Sequence, residues 1–188
     1  MQFFRAFACV ALMGVAAPAS AQNTDWTGFY AGGLLELARV DIDTPGGVTL
    51  NEGSGPMVGA FGGYRYDLGN VVLGATGSAT FGNVGVEPLI PAATPDPTLD
   101  MLFRAGIEIG YDLGPVLVTG GVGQTLGVMT NAANSRQSEF GSYYGIGADY
   151  MLNEDIMIGA DITRTNLNNF SGQDVTVTSF GIGAAYRF

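Results

Sequence analysis

The sequence predicts an all-β fold: an eight-stranded antiparallel up-and-down transmembrane β-barrel. Three observations carry that expectation. From about residue 26 onward, segments of roughly ten to fourteen residues alternate apolar with small or polar positions, the period and length of a tilted membrane strand. The connections between them alternate between tight and long, as in barrels with short periplasmic turns and longer external loops. No apolar stretch after residue 22 is long enough for a transmembrane helix. A chain of this kind enters a membrane only as a closed barrel, which leaves no backbone group unpaired in lipid.

The chain opens on a secretory signal. Arg5 supplies a positive n-region, Ala6 to Ala17 is apolar apart from one glycine, Pro18 breaks the run, and Ala19-Ser20-Ala21 is a small-x-small cleavage box. Residues 1–21 are therefore expected to be a cleaved signal peptide and residues 22–188 the barrel domain. The single cysteine, Cys9, falls inside this signal, so the mature part is expected to carry no thiol and no disulfide. Composition agrees with export into a membrane. There are 30 glycines in 188 residues, and 13% of residues are charged against about 25% in soluble domains. The net charge is −10, and all seven basic residues are arginines. A basic face for nucleic acid is absent.

Strands are expected near 26–39, 56–67, 71–82, 99–112, 116–128, 140–152, 156–166 and 175–188. Asp41 to Gly55 reads as a long loop after the first and Asp67-Leu68-Gly69-Asn70 as a tight turn after the second. Asn83 to Thr98 is long, with Pro88, Pro91, Pro95 and Pro97, and Asp112-Leu113-Gly114-Pro115 is tight. Met129 to Glu139 is long, Asn153-Glu154-Asp155 short, and Asn166 to Asp174 long. This alternation puts both termini on the periplasmic side of an outer membrane. Tyr66-Asp67-Leu68-Gly69 repeats as Tyr111-Asp112-Leu113-Gly114, with Tyr150-Met151-Leu152-Asn153 a weaker copy. Tyr66, Tyr111 and Tyr150 thus end strands beside short turns, where an amphipathic ring suits a periplasmic aromatic girdle.

Period two divides each strand into faces. On the last, Phe180, Ile182, Ala184, Tyr186 and Phe188 oppose Ser179, Gly181, Gly183, Ala185 and Arg187. On the fourth, Leu99, Met101, Phe103, Ala105, Ile107, Ile109 and Tyr111 oppose Asp100, Leu102, Arg104, Gly106, Glu108, Gly110 and Asp112. The polar face is rich in small residues, as a cramped lumen requires, and it holds the mid-strand charges. Arg on the lipid face at mid-bilayer would cost about 2–4 kcal/mol. A lumen plug of opposite charges is expected from Arg65, Arg104 and Arg187 set against Glu36, Glu108, Asp149 and Asp161, because an interior ringed by eight strands is narrow enough for side chains to fill.

Two stretches carry a resemblance. Asp25-Trp26-Thr27-Gly28-Phe29-Tyr30-Ala31-Gly32-Gly33 resembles the opening strand of small outer-membrane proteins common in alphaproteobacteria, of the outer membrane protein A-like, opacity-type or porin-like group. Tyr186-Arg187-Phe188, with Phe180, Ile182 and Ala184 before it, is similar to the assembly signal read by the barrel-assembly machinery. The resemblance covers the mature chain. It implies an eight-stranded barrel escorted by periplasmic chaperones and that machinery into the Gram-negative outer membrane, among lipids and lipopolysaccharide. The implied roles are envelope integrity, adhesion or host interaction. The chain ends at the barrel's last strand, so a peptidoglycan-binding role is not carried over.

Other functions are weighed against this. An outer-membrane enzyme of the hydrolytic kind uses a histidine as base, and the sequence has none. Catalytic residues, cofactors and a metal site are accordingly not expected. Water-filled porins use about sixteen to eighteen strands, which leaves only a narrow pore for small solutes or ions as an alternative. Acidic loops, with Asp41, Asp43 and Glu52 in the first and Glu87, Asp96 and Asp100 in the second, suit a surface-interaction role or bridging to lipopolysaccharide through divalent cations. Their spacing fits no twelve-residue calcium loop.

Overall fold

The tight turns set the register of the whole sheet. In two of them an aspartate folds back on its own backbone: Asp67 Oδ1 accepts from the Gly69 amide at 2.7 Å, and Asp112 Oδ1 from the Gly114 amide at 2.6 Å. Gly69 and Gly114 have φ of 104° and 87°, a region open to glycine at no steric cost. The third short turn is closed by Asn153, whose Oδ1 accepts from the amides of Asp155 and Ile156.

The computed structural model describes residues 24–43, 49–88, 97–130, 135–170 and 173–188; the expected signal peptide, residues 1–21, and Asp96 of the second acidic loop lie outside them. Eight long strands make the barrel: β1 (Gly28–Asp43), β2 (Thr49–Asp67), β3 (Val71–Gly85), β5 (Thr98–Asp112), β6 (Val116–Thr130), β7 (Arg136–Met151), β8 (Ile156–Phe170) and β9 (Gln173–Arg187). A two-residue strand, β4 (Glu87–Pro88), adds to the edge of β2 opposite Asn51 and Glu52. The long strands pair antiparallel in the order β1-β9-β8-β7-β6-β5-β3-β2, and β2 returns to β1 from Gly28↔Arg65 to Asp43↔Thr49. The sheet is closed. Among the described residues no helix is long and apolar enough to cross a membrane, which says nothing against crossing by strands.

The strands are longer than expected, and the difference lies at the long-loop end. β1 runs to Asp43 and β2 begins at Thr49, inside the stretch from Asp41 to Gly55 that reads as a loop. The cause is an inversion of hydropathy part-way along the strands. On β1 the outward positions Phe29, Leu35 and Leu37 are apolar, but the next ones, Arg39, Asp41 and Asp43, are charged. The inward side changes oppositely, from Gly32 and Glu36 to Ala38, Val40 and Ile42. On β9 the outward Phe180, Ile182, Ala184 and Tyr186 give way to Thr178, Thr176 and Asp174, while Val177 and Val175 point inward. The lower barrel is apolar outside, as a lipid-facing wall must be. The upper barrel is apolar inside, as a water-exposed one must be. From Thr178 to the last residue of the chain is ten residue steps, about 33 Å along the strand. At a tilt near 40° this gives a band about 25 Å tall.

Two buried apolar clusters result. One fills the long-loop end, with Val40, Ile42, Met57, Leu99, Leu102, Met129, Leu167 and Val177 among its members. The other fills the short-turn end, with Trp26, Tyr30, Val72, Leu117, Met151 and Met157. Two sequence expectations are corrected here. Leu99 does not share the outward face of Met101 and Phe103. An irregularity between Leu99 and Met101 shifts the phase by one residue and buries Leu99 completely. Trp26 does not begin the first strand. It precedes β1 and turns into the barrel's end, 1% exposed.

Candidate functional site

The middle of the barrel carries the charges, in two groups on the inward positions. Lower down, β2 contributes Arg65, β5 Glu108 and β7 Asp149. Arg65 Nε lies 2.7 Å from Glu108 Oε1 and its Nη2 3.3 Å from Glu108 Oε2, so the contact is bidentate; the same Nη2 lies 2.7 Å from Asp149 Oδ2. The Arg65 guanidinium stacks over the rings of Tyr30 and Trp26, 4.6 and 5.8 Å from their centroids. The Tyr30 hydroxyl donates to Glu108 at 3.2 Å. Higher up, β5 contributes Arg104 and β1 Glu36. Arg104 Nη1 sits 2.7 Å from Glu36 Oε1, Nε donates to Thr165 Oγ1 at 3.3 Å, and Nη2 donates to Ser179 Oγ at 3.2 Å. Arg104 and Glu36 are both buried. Fork-shaped guanidinium contacts of this kind hold carboxylates at a fixed angle as well as a fixed distance.

Between the groups lies a cavity of about 150 Å³, reached by Arg65, Arg104, Glu36, Glu108, Asp149 and Asp161. It is roomy enough for several waters. Asp161 accepts from Thr163 Oγ1 at 2.9 Å. Four carboxylates thus face two guanidiniums, and Glu36 Oε2 is buried without a hydrogen-bond partner among the described residues. Glycines make the space. A Cβ on Gly123 would meet the Ala105 and Gly106 backbone of β5 as well as the Tyr143 ring, so a larger residue there would force β5 and β6 apart.

Of the seven residues expected to form a lumen plug, the structure joins five: Arg65 with Glu108 and Asp149, and Arg104 with Glu36. Asp161 shares the cavity and has no arginine partner among the described residues. Arg187 is apart: it lies at the short-turn end and donates from Nη2 to the Glu154 carbonyl at 2.6 Å. Its place at the end of β9 carries it below the lumen charges. The expectation that mid-strand charges all point inward also fails, because Arg39 and Arg164 are exposed on the outward face. Both lie just beyond the point where hydropathy inverts, so an outward charge there stands clear of the apolar band.

Tyr66, Tyr111 and Tyr150 are outward and exposed at the ends of β2, β5 and β7. Phe180, Ile182, Ala184, Tyr186 and Phe188 line the outward face of β9 to the chain end, where the Phe188 amide donates to the Phe29 carbonyl at 2.8 Å. What composition did not reveal is the clamp on Trp26. Its amide donates to Asp67 Oδ2 at 3.1 Å and its indole Nε1 to Asp112 Oδ1 at 3.3 Å. The two repeated turn aspartates therefore hold both their own turns and the aromatic that fills the barrel's end. The repeat itself was the available signal. Among the described residues no group of three or more acidic, histidine or cysteine side chains is placed to hold a metal ion.

A family model described as the outer membrane protein beta-barrel domain matches residues 7–188. Among curated proteins no match is found. Solved structures share the fold. Neisserial surface protein A aligns with a TM-score of 0.60 at 17% identity, covering 86% of this chain and 98% of its own. Ail, the attachment invasion locus protein of Yersinia pestis, aligns at 0.54 and 16% identity over 86% and 99%. OprG of Pseudomonas aeruginosa aligns at 0.53 and 14% identity over 88% and 98%. Ail has also been solved with the heparin analogue sucrose octasulfate.

Proposed function

We propose, from the premise that this chain belongs to the outer membrane protein beta-barrel domain family, that it is a non-enzymatic barrel of the Gram-negative outer membrane with a closed lumen and a structural or surface-interaction role. One observation carries the reading. The Arg65–Glu108–Asp149 and Arg104–Glu36 groups span the lumen between two buried apolar clusters, an arrangement that supports a closed lumen. Tyr66, Tyr111 and Tyr150 serve as the periplasmic girdle, and the outward face of β9 down to Phe188 as the assembly signal. Both termini are periplasmic and the acidic long-loop end faces outward. Asp41, Glu52 and Asp174 then meet the outside, where a partner would be engaged; the attachment named for Ail is one form such engagement takes.

A second reading rests on the chamber itself. It carries more carboxylates than arginines, so a path opened through it would favour cations. Single-channel recording of refolded protein in planar bilayers separates the two. The closed reading expects no stable conductance steps in the native protein. Steady cation-selective steps in the native protein would replace it with the narrow pore.

A further inference from the structure

Two features of the outward face converge on β8, β9 and β1. The first is a pair of arginines. Arg39 on β1 and Arg164 on β8 are both in register with Thr178 on the strand between them. Strands lie about 4.8 Å apart, so the two Cα atoms are about 10 Å from each other, with Thr178 between. Guanidiniums reaching inward from both sides can meet on one anion. Arg39 is exposed and bonds Asp41 and Glu52 at 3.2 and 3.0 Å, contacts of the exposed and therefore weak kind. Arg164 is exposed and has no ion pair among the described residues. Their row is the one at which the barrel's outer wall turns from apolar to charged.

The second feature is an open groove of about 760 Å³ on the same strands, reaching Val58 on β2 and Ala148 on β7; its lining includes the small residues Gly33, Ala160 and Ala184 beside Leu35 and Ile182. Leu35, Ile182 and Ala160 form one register row, four residues below the arginine row. That is about 13 Å along the strand, which sets the groove well inside the apolar band.

We propose that this face binds one phosphorylated, acylated lipid of the outer leaflet. Arg39 and Arg164 clasp its phosphate beside Thr178, and an acyl chain lies in the groove below. The proposal rests on the orientation given above, with the long-loop end outward. Charge selects this occupant over a second copy of the chain. A two-fold dimer in a membrane has its axis along the bilayer normal, so pairing through this face would set the two arginine rows opposite each other at one height. A phosphate between the arginines removes that repulsion, and guanidinium forks suit it.

The test is native mass spectrometry of the refolded barrel released from phosphatidylcholine nanodiscs doped with lipid A or with lipid A stripped of its phosphates. A band that shifts between the unheated and the boiled sample on a denaturing gel first establishes that each protein is folded; a protein that fails there speaks against the barrel and not against the lipid site. The native protein is expected to retain one lipid A and to lose it when the phosphates are gone, a comparison that needs no variant. Arg39→Gln with Arg164→Gln should lower retention about tenfold or more. Arg136→Gln, which removes an exposed arginine outside the row, should leave it unchanged. Ala160→Trp, which fills the groove, should lower retention of lipid A with both arginines in place. Equal retention with and without phosphates, no effect of the double substitution, or a lipid-free dimer would each overturn the proposal.

Discussion

Arg104 shows what a single charge does in this lumen. It satisfies Glu36, Thr165 and Ser179 together, all across the barrel from its own strand. Arg104→Ala leaves Glu36 buried and unpaired and should cost about 3–5 kcal/mol, read as a lower urea midpoint for loss of the unheated gel band. Arg104→Met combined with Glu36→Gln should recover part of that loss, because a buried pair replaced as a pair leaves no bare charge. At the short-turn end, Asp25 receives a hydrogen bond from the Thr27 amide at 2.8 Å, which holds its carboxyl below the usual value of 3.8. A lowered folded value means stability present at neutral pH and lost as pH falls through it. The fluorescence of the single tryptophan, Trp26, should therefore report a firmer N-terminal arm in the native protein than in Asp25→Ala at pH 7, with the difference shrinking as pH falls below the usual carboxyl value and vanishing only below the lowered one. Partners such as Arg65 and Glu108 were legible because inward parity is visible in the sequence. The Trp26 clamp was not, since it joins residues 41 and 86 positions apart through turns that parity does not describe.

Each strand carries two environments in sequence, and their boundary is measurable. Ile182→Arg places a charge in the apolar band and should cost about 2–4 kcal/mol, whereas Thr176→Arg, beyond the inversion, should cost about 0–1 kcal/mol. Urea unfolding in phospholipid vesicles compares them. The lower half of each strand was readable because its outward apolar residues keep strict period two. The upper ends of β1 and β2 read as loop because Asp41, Asp43 and Gly53 carry turn chemistry, while the inward Val40 and Ile42 that hold those residues in strands join apolar partners from other strands. A phase shift such as that at Asp100 is equally hidden. Asp100 is bound there by the hydroxyls of Thr98, two residues away, and of Thr130, which the pairing of β5 with β6 brings beside it.

The whole molecule is a lipid-facing cylinder below and a water-facing one above, closed on itself and filled by apolar, charged and apolar layers in turn. Closure was legible from strand count and alternating connections; the layering was not, because it depends on which side chains from eight strands reach one height. The central claim is that the wall changes its exposure at the Thr178 row. Because the only cysteine, Cys9, precedes the expected cleavage site, single cysteines placed along β9 report their surroundings without interference. A fluorophore scan of residues 174 to 186 with lipid-borne quenchers is the direct measurement. Quenching is predicted at positions 180, 182, 184 and 186, with none at 174 and 176 and none at the odd positions between. Quenching that continues through 174 and 176, or that ignores the odd–even alternation, would contradict the assignment of the lipid-facing wall.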